Sequence, residues 1–142
     1  KYRDVKIFND TKWQELHWKS LLSAYRTSPF FEFYEDELQP LFSMKTEYIL
    51  DYNLKCFEVV CECLQLDLKI SKSEDYHKTI ENTDDYRFLV NAKKEQPQSF
   101  DTYTQVFNEK HGYIPNLSIL DLLFNEGPNA VNYLELQTTS LQ

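Results

Sequence analysis

The scarcity of glycine is the feature that most limits how this chain can fold. Only Gly112 and Gly127 occur among 142 residues, together with five prolines. Tight turns that need a positive φ must therefore be few, which favours helices joined by polar loops over a β-sandwich. Ten Phe, ten Tyr and two Trp supply the apolar area for a core. The length suits one domain, residues 1–142.

Apolar spacing predicts mainly helices with a minor β component, an α+β domain with two or three short strands. Residues 5–8 and 68–71 alternate apolar and charged side chains, as half-buried strands do. A capping box of Thr11 and Gln14 predicts a helix to about residue 26. The longest helix is predicted over residues 47–65, and further helix starts are predicted from the sequence punctuation at Ser28-Pro29, Asn116 and Pro128.

The charge and the cysteines exclude several classes of function. A net charge of -8 without a basic cluster argues against nucleic-acid binding, and no apolar run is long enough to insert into a membrane. Cys61 and Cys63 lie about 200° apart around a helix, so they cannot both face one metal ion, and no second Cys or His pair has the spacing of metal ligands. We therefore expect no metal or cofactor, reduced thiols and a cytoplasmic protein. The oligomeric state stays open.

The histidines are the first candidates for chemistry, because the chain has no glycine-rich phosphate loop, G-x-S-x-G or H-E-x-x-H motif. His17 is predicted in mid-helix beside Trp13 and Trp18, where it is either a structural residue or a general acid or base. His111 precedes the helix predicted from Asn116. It is either structural or part of a pocket at that helix N-terminus.

A polar stripe interrupts the most apolar stretch, "NLSILDLLFNEGPNA" (116–130). Ser118, Asp121 and Asn125 are spaced i, i+3 and i+7, so they share one side of a helix. If that side is buried, Asp121 needs a partner, because an isolated buried carboxylate is too costly. The stripe either satisfies neighbouring backbone groups or lines the edge of a working site.

Two stretches resemble the WbqC-like family of bacterial proteins. They are "LSILDLLFNEGPNAVNYL" (117–134), preceded by "YTQVFNEKHGYIPN", and "WQELHWKSLLSAYRTSPFFEFY" (13–34). The aromatic-rich version here is most similar to members from Bacteroides-type bacteria, and an aromatic- and Pro-rich segment usual at the family's start is absent. The resemblance implies a C-terminal fragment of a larger α/β protein. The positions that fit the family pattern are Trp13, His17, Tyr25, Ser118, Asp121, Asn125, Gly127 and Pro128.

The resemblance implies a transferase that places an aminoacyl (glycyl) or acyl group on a sugar or nucleotide-sugar during O-antigen biosynthesis. In that interpretation His17 is the general base and Asp121 orients it, while the substrate-binding residues are Ser118, Asn125, Tyr25 and His111. The alternative is a non-catalytic helical binding or scaffold module. Its predicted contact surface for a glycan or a protein is the aromatic set Phe30, Phe31, Phe33 and Tyr34.

Overall fold

The computed structural model describes residues 1–81, 83–90 and 99–137. Six α-helices lie in these ranges: α1 (Trp13–Tyr25), α2 (Phe31–Leu38), α3 (Ile49–Cys63), α4 (Asn108–His111), α5 (Ile119–Glu126) and α6 (Ala130–Leu136). Short 3-10 turns are found at Tyr2–Asp4, Gln39–Phe42, Arg87–Val90 and Gly127–Asn129.

The predicted β component is wrong, because the described residues contain helices and no strand. Residues 5–8 reach only one isolated antiparallel bridge, Lys6 with Tyr48. The amide of Ile7 donates to the Glu47 carbonyl at 2.8 Å, and the amide of Ile49 donates to the Val5 carbonyl at 3.0 Å. Pairing stops there because α3 begins at Ile49. The α+β assignment is therefore corrected to a helical fold.

The second predicted strand, residues 68–71, has no regular structure and is exposed. Alternation of apolar and charged residues makes a segment amphipathic, but a strand also needs a neighbour to receive its backbone hydrogen bonds. Nothing in the described part of the chain supplies that neighbour.

The core is built by helices from both ends of the chain. It receives residues from α2, the turn after it and α3 on one side, and from α5 and α6 on the other. Trp18, Leu22 and Tyr25 of α1 pack against it while half-buried. The buried apolar residues of this core are Phe31, Leu38, Leu41, Val59, Leu64, Leu122, Leu123, Phe124 and Ala130.

The start of α1 is fixed by a tertiary contact, and the predicted capping box is wrong. The cap position is Lys12, and it makes no side-chain capping bond. The side-chain amide of Gln14 donates instead to the carbonyls of Leu41 and Met44, at 3.1 and 2.8 Å. Because Gln14 satisfies two carbonyls of the turn after α2, it docks α1 on the core.

The junction between α5 and α6 is joined to the start of α2. The amide of Phe30 donates to the Phe124 carbonyl at 3.0 Å. Gly127 ends α5 with φ +53°, and a Cβ at this position would lie 2.5 Å from Cγ of Phe30. The phenyl ring thus occupies space that only glycine leaves open.

Candidate functional site

Asp121 is the buried polar group around which the candidate site is built. It lies in the first turn of α5 and is 1% exposed. The hydroxyl of Tyr103 donates to Oδ2 of Asp121 at 2.7 Å, and Tyr25 of α1 is its other electrostatic neighbour. No Lys or Arg of the described ranges forms an ion pair with Asp121. The carboxyl group is therefore held by tyrosines rather than by a cation.

Both tyrosines beside Asp121 keep their protons. Burial, followed by the Asp121 carboxyl group, raises the pKa of Tyr25 to about 12. Burial also raises the pKa of Tyr103; Gln105 acts in the opposite direction, and Asp121 adds to the rise. At neutral pH the two hydroxyls are thus hydrogen-bond donors and not bases.

We predict that the free energy of unfolding falls between pH 10.0 and about 12, which is the interval between the pKa of an unfolded tyrosine and the raised pKa of Tyr25 in the folded protein. Its pKa is raised in the folded state, so its contribution is complete below the unfolded value of 10.0 and is lost as pH rises towards about 12. The measurement is the free energy of unfolding in urea at several pH values, alongside tyrosinate absorbance. Tyr76→Phe, at an exposed ring, should leave the curve unchanged. Tyr25→Phe should make it less steep but not flat, because the pKa values of Tyr52, Tyr103 and Tyr133 are also raised by burial and these residues still contribute. Equal curves for both variants would contradict the assignment.

The other members of the polar stripe act on the backbone of α5 itself. Oγ of Ser118 caps the helix by accepting from the amide of Leu120 at 3.3 Å, so the prediction that Asn116 caps it is wrong. The side-chain amide of Asn125 donates to the backbone carbonyl of Asp121 at 2.7 Å. Of the three side chains, Asp121 is the one that reaches across to Tyr103.

Three tyrosine rings surround a pocket next to Asp121. The ring of Tyr103 makes edge contacts with Tyr133 at 5.2 Å and with Tyr113 at 5.9 Å between centroids. The hydroxyls of Tyr113 and Tyr133 lie 2.9 and 2.5 Å from the carbonyl oxygen of Asp101. The pocket has a volume of about 330 Å³, and its further lining includes Phe100, Asn116, Leu117, Leu122 and Gln137. We call it the tyrosine pocket.

The two predicted histidines lie on exposed faces. His17 contacts the ring of Trp13 edge-on at 5.4 Å between centroids. It precedes Tyr25 on α1 by eight residues, which is about 12 Å along a helix axis. His111 ends α4 and lies beside Phe107 at 6.5 Å. The structure brings Tyr25 to Asp121 and places the two histidines elsewhere; the roles assigned to all of them stay predictions.

The sequence matches the WbqC-like protein family over residues 1–98 and 87–133. The chain belongs to this family. No curated protein and no solved structure matches it. In this WbqC-like protein Tyr25 falls in the first matched range, and Asp121 with Tyr103 falls in the second, so both matched ranges contribute to the site.

Sequence reasoning missed most of the tyrosine pocket of the WbqC-like protein. Tyr103, Gln105 and Tyr113 lie in the stretch "YTQVFNEKHGYIPN" (103–116), in which the sequence indicated only His111 as a candidate. Gln105 is buried, and its side chain makes two hydrogen bonds with the backbone of Ile114, at 2.8 and 2.9 Å. A glutamine inside an apolar run was the available signal, because a buried amide must find partners.

The aromatic set proposed as a contact surface is divided in the WbqC-like protein. Phe31 is 0% exposed and belongs to the core, whereas Phe33 is 73% exposed. Phe30 and Tyr34 are half-buried. These rings therefore do not form one continuous exposed patch.

No metal site emerges from the part of the WbqC-like protein that is described, where no three His, Cys, Asp or Glu residues are arranged to hold an ion. The three cysteines are free thiols. Burial, followed by Glu37 and Glu62, raises the pKa of Cys63 to about 11, so its thiol stays protonated. None of the described helices has the length and apolar character that a membrane crossing requires.

Proposed function

We propose that this WbqC-like protein binds a sugar or nucleotide-sugar in the tyrosine pocket. The bound sugar would accept an aminoacyl (glycyl) or acyl group during synthesis of a bacterial surface polysaccharide such as O-antigen. The observation that supports this is the convergence of Tyr103, Tyr113 and Tyr133 around the tyrosine pocket, with the buried Asp121 behind Tyr103. Reduced cysteines are compatible with the cytoplasm, where we place the reaction.

The chemistry of the pocket suits a sugar ring. Its volume of about 330 Å³ lies at the small end of ligand sites, which suits one ring rather than a long glycan. Tyrosine combines an apolar face with a polar tip, so it can cover the C–H face of a sugar and bond its hydroxyls. Asn116 and Gln137 add amide groups to the lining.

In the proposed transfer, the sugar hydroxyl or amine attacks the carbonyl carbon of an activated aminoacyl or acyl donor. A new ester or amide bond forms, the donor's bond to its leaving group breaks, and the acceptor's proton passes through a base to that leaving group. Tyr103 gives its single hydroxyl proton to Asp121, so its oxygen would accept a hydrogen bond from the acceptor hydroxyl or amine and orient it. His17 could act as the base only for a substrate that extends from the pocket to α1.

A binding module without catalysis is the second candidate. It is favoured by the exposed positions of His17 and His111, neither of which contacts Asp121 in the described structure. The tyrosine pocket would then hold a sugar for another protein to modify. Both candidates require the same pocket.

Titration by NMR with monosaccharides, amino sugars and nucleotide-sugars tests the shared requirement. We expect saturable shifts of pocket resonances and clearly weaker binding in Tyr133→Ala, because this variant removes one of the rings that would cover the apolar face of the sugar. Tyr76→Ala removes an exposed ring and is the matched control. If no sugar of the panel binds, or if both variants bind alike, the proposal is wrong.

A transfer assay then separates the two candidates. The wild type, His17→Ala and Asp121→Asn are mixed with the bound sugar and with aminoacyl or acyl donors. Product from the wild type that falls in Asp121→Asn supports the transferase. Sugar binding without product from any donor supports the binding module.

A further inference from the structure

The chain leaves a groove open on the outer side of α3, lined by apolar side chains and by charged ones in equal number, the charged ones being Asp51, Lys55, Glu58, Glu62, Asp67 and Lys72. After α3, residues 66–72 run beside that helix and leave a space of about 610 Å³ between the two. Phe57 of α3 lines it and is 45% exposed, while Leu68 and Ile70 line the other side at 54% and 53%. Leu66 lines the same groove and also packs on the core. The side chains of Phe57, Leu68 and Ile70 are thus about half exposed to solvent.

The backbone beside this groove is also without partners. None of residues 67–72 forms a backbone hydrogen bond within the described part of the chain. The sequence Leu66-Asp67-Leu68-Lys69-Ile70 nevertheless alternates apolar and charged residues, the pattern of a strand with one buried face. Unpaired strand-like backbone next to exposed apolar side chains is a template for pairing with another chain.

We propose that this segment pairs with the same segment of a second copy, as an antiparallel two-stranded ribbon. With Leu68 opposite Leu68 of the second copy, Asp67 lies opposite Lys69 of that copy, and the reverse pair forms by symmetry. Leu66 then lies opposite Ile70 on the apolar face. The ribbon turns this face towards both α3 helices, so Phe57 of each copy is covered.

Charge selects this register over its neighbour. A shift that centres the pairing on Lys69 sets the two Lys69 side chains opposite each other and removes both Asp67 pairs. Directly opposed like charges destabilise a strand pair, whereas opposite charges contribute roughly 0.2–1 kcal/mol each. The net charge of -8 per chain opposes association, although salt at physiological strength screens it beyond about 8 Å. The dimer is therefore weak and specific.

Sedimentation velocity of the whole chain, from about 10 µM to about 500 µM, tests the proposal over the range of a weak complex. We expect a concentration-dependent dimer. Asp67→Lys and Lys69→Asp should each weaken dimerisation at least tenfold, and the double exchange D67K/K69D should restore it. Ile70→Asp should abolish it without loss of helical circular dichroism.

The direction in which Asp67→Lys changes the dimerisation constant distinguishes pairing in the ribbon from general charge repulsion between two copies. Asp67→Lys makes the chain less negative, so simple repulsion between copies predicts stronger association, whereas the ribbon predicts weaker association. Asp36→Lys makes the same charge change on the exposed surface of α2 and is the matched control. A monomer at every concentration, a dimer that Asp67→Lys leaves intact, or a double exchange that restores nothing would each overturn the proposal.

Discussion

Gly127→Ala is expected to destabilise the protein by about 4 kcal/mol. A positive φ in a region reserved for glycine costs roughly 1–3 kcal/mol, and forcing an extra carbon into a packed core costs about 1–3 kcal/mol more. Both apply here, since Gly127 has φ +53° and the new Cβ would meet the Phe30 ring at 2.5 Å. Urea unfolding followed by circular dichroism measures the loss.

Gly112→Ala separates the two contributions. Gly112 has φ +71°, but a Cβ there would meet no atom within 4 Å, so only the backbone cost of about 1–2 kcal/mol should appear. If Phe30 causes the larger effect at Gly127, the Gly127→Ala substitution should cost less in a Phe30→Ala background than in the wild type. Equal losses at the two glycines would contradict the close contact.

Asp121→Ala is the second large expected effect, a loss of about 3 kcal/mol. The change deprives the half-buried Tyr103 hydroxyl of its acceptor, 2.7 Å away, and also leaves a small cavity at a position that is 1% exposed. An unsatisfied buried polar group costs about 1–3 kcal/mol, to which the cavity adds. Asp121→Asn keeps the shape and one acceptor oxygen, so about 1–2 kcal/mol is expected. Chemical denaturation of both variants provides the comparison.

A double-mutant cycle with Tyr103→Phe shows whether this loss comes from the hydrogen bond. In the wild type, Tyr103→Phe removes the donor and should destabilise the fold. In Asp121→Ala the hydroxyl has already lost its acceptor, so the same change should be neutral or stabilising. Additive losses would mean that Asp121 acts through some other contact.

The helices could be predicted from local patterns, but their ends and the strands could not. The end of α2 at Leu38, two residues before Pro40, and the end of α5 at Gly127 follow from the chemistry of single residues. The start of α1 depends on carbonyls of Leu41 and Met44 that are remote in sequence. Whether residues 68–71 form a strand also depends on residues remote in sequence, because the alternation of apolar and charged residues does not show whether a neighbouring strand is present.

The candidate site was only partly predictable for the same reason. The spacing on α5 indicated that Asp121 would need partners if it was buried, and it is buried and bonded. The identity of those partners depends on how residues 99–117 fold over α5 and α6. The spacing in the sequence therefore could not group Tyr103, Tyr113 and Tyr133 into one site. His17 and His111 were candidates only because histidine commonly acts as a general acid or base.

The core is built from two separate segments of the chain, and this determines where the protein can accept inserted residues. Its residues come from Phe31 to Leu64 and from Leu122 to Ala130, and the Phe30–Phe124 hydrogen bond with the Gly127 contact joins the two ends directly. Between them, residues 72–81 are exposed and supply no core residue. Doubling the length of a loop costs only about 0.6 kcal/mol in closure entropy. Insertions between residues 72 and 81 are therefore changes that this architecture tolerates, and that segment is a natural place to graft a tag or a reporter.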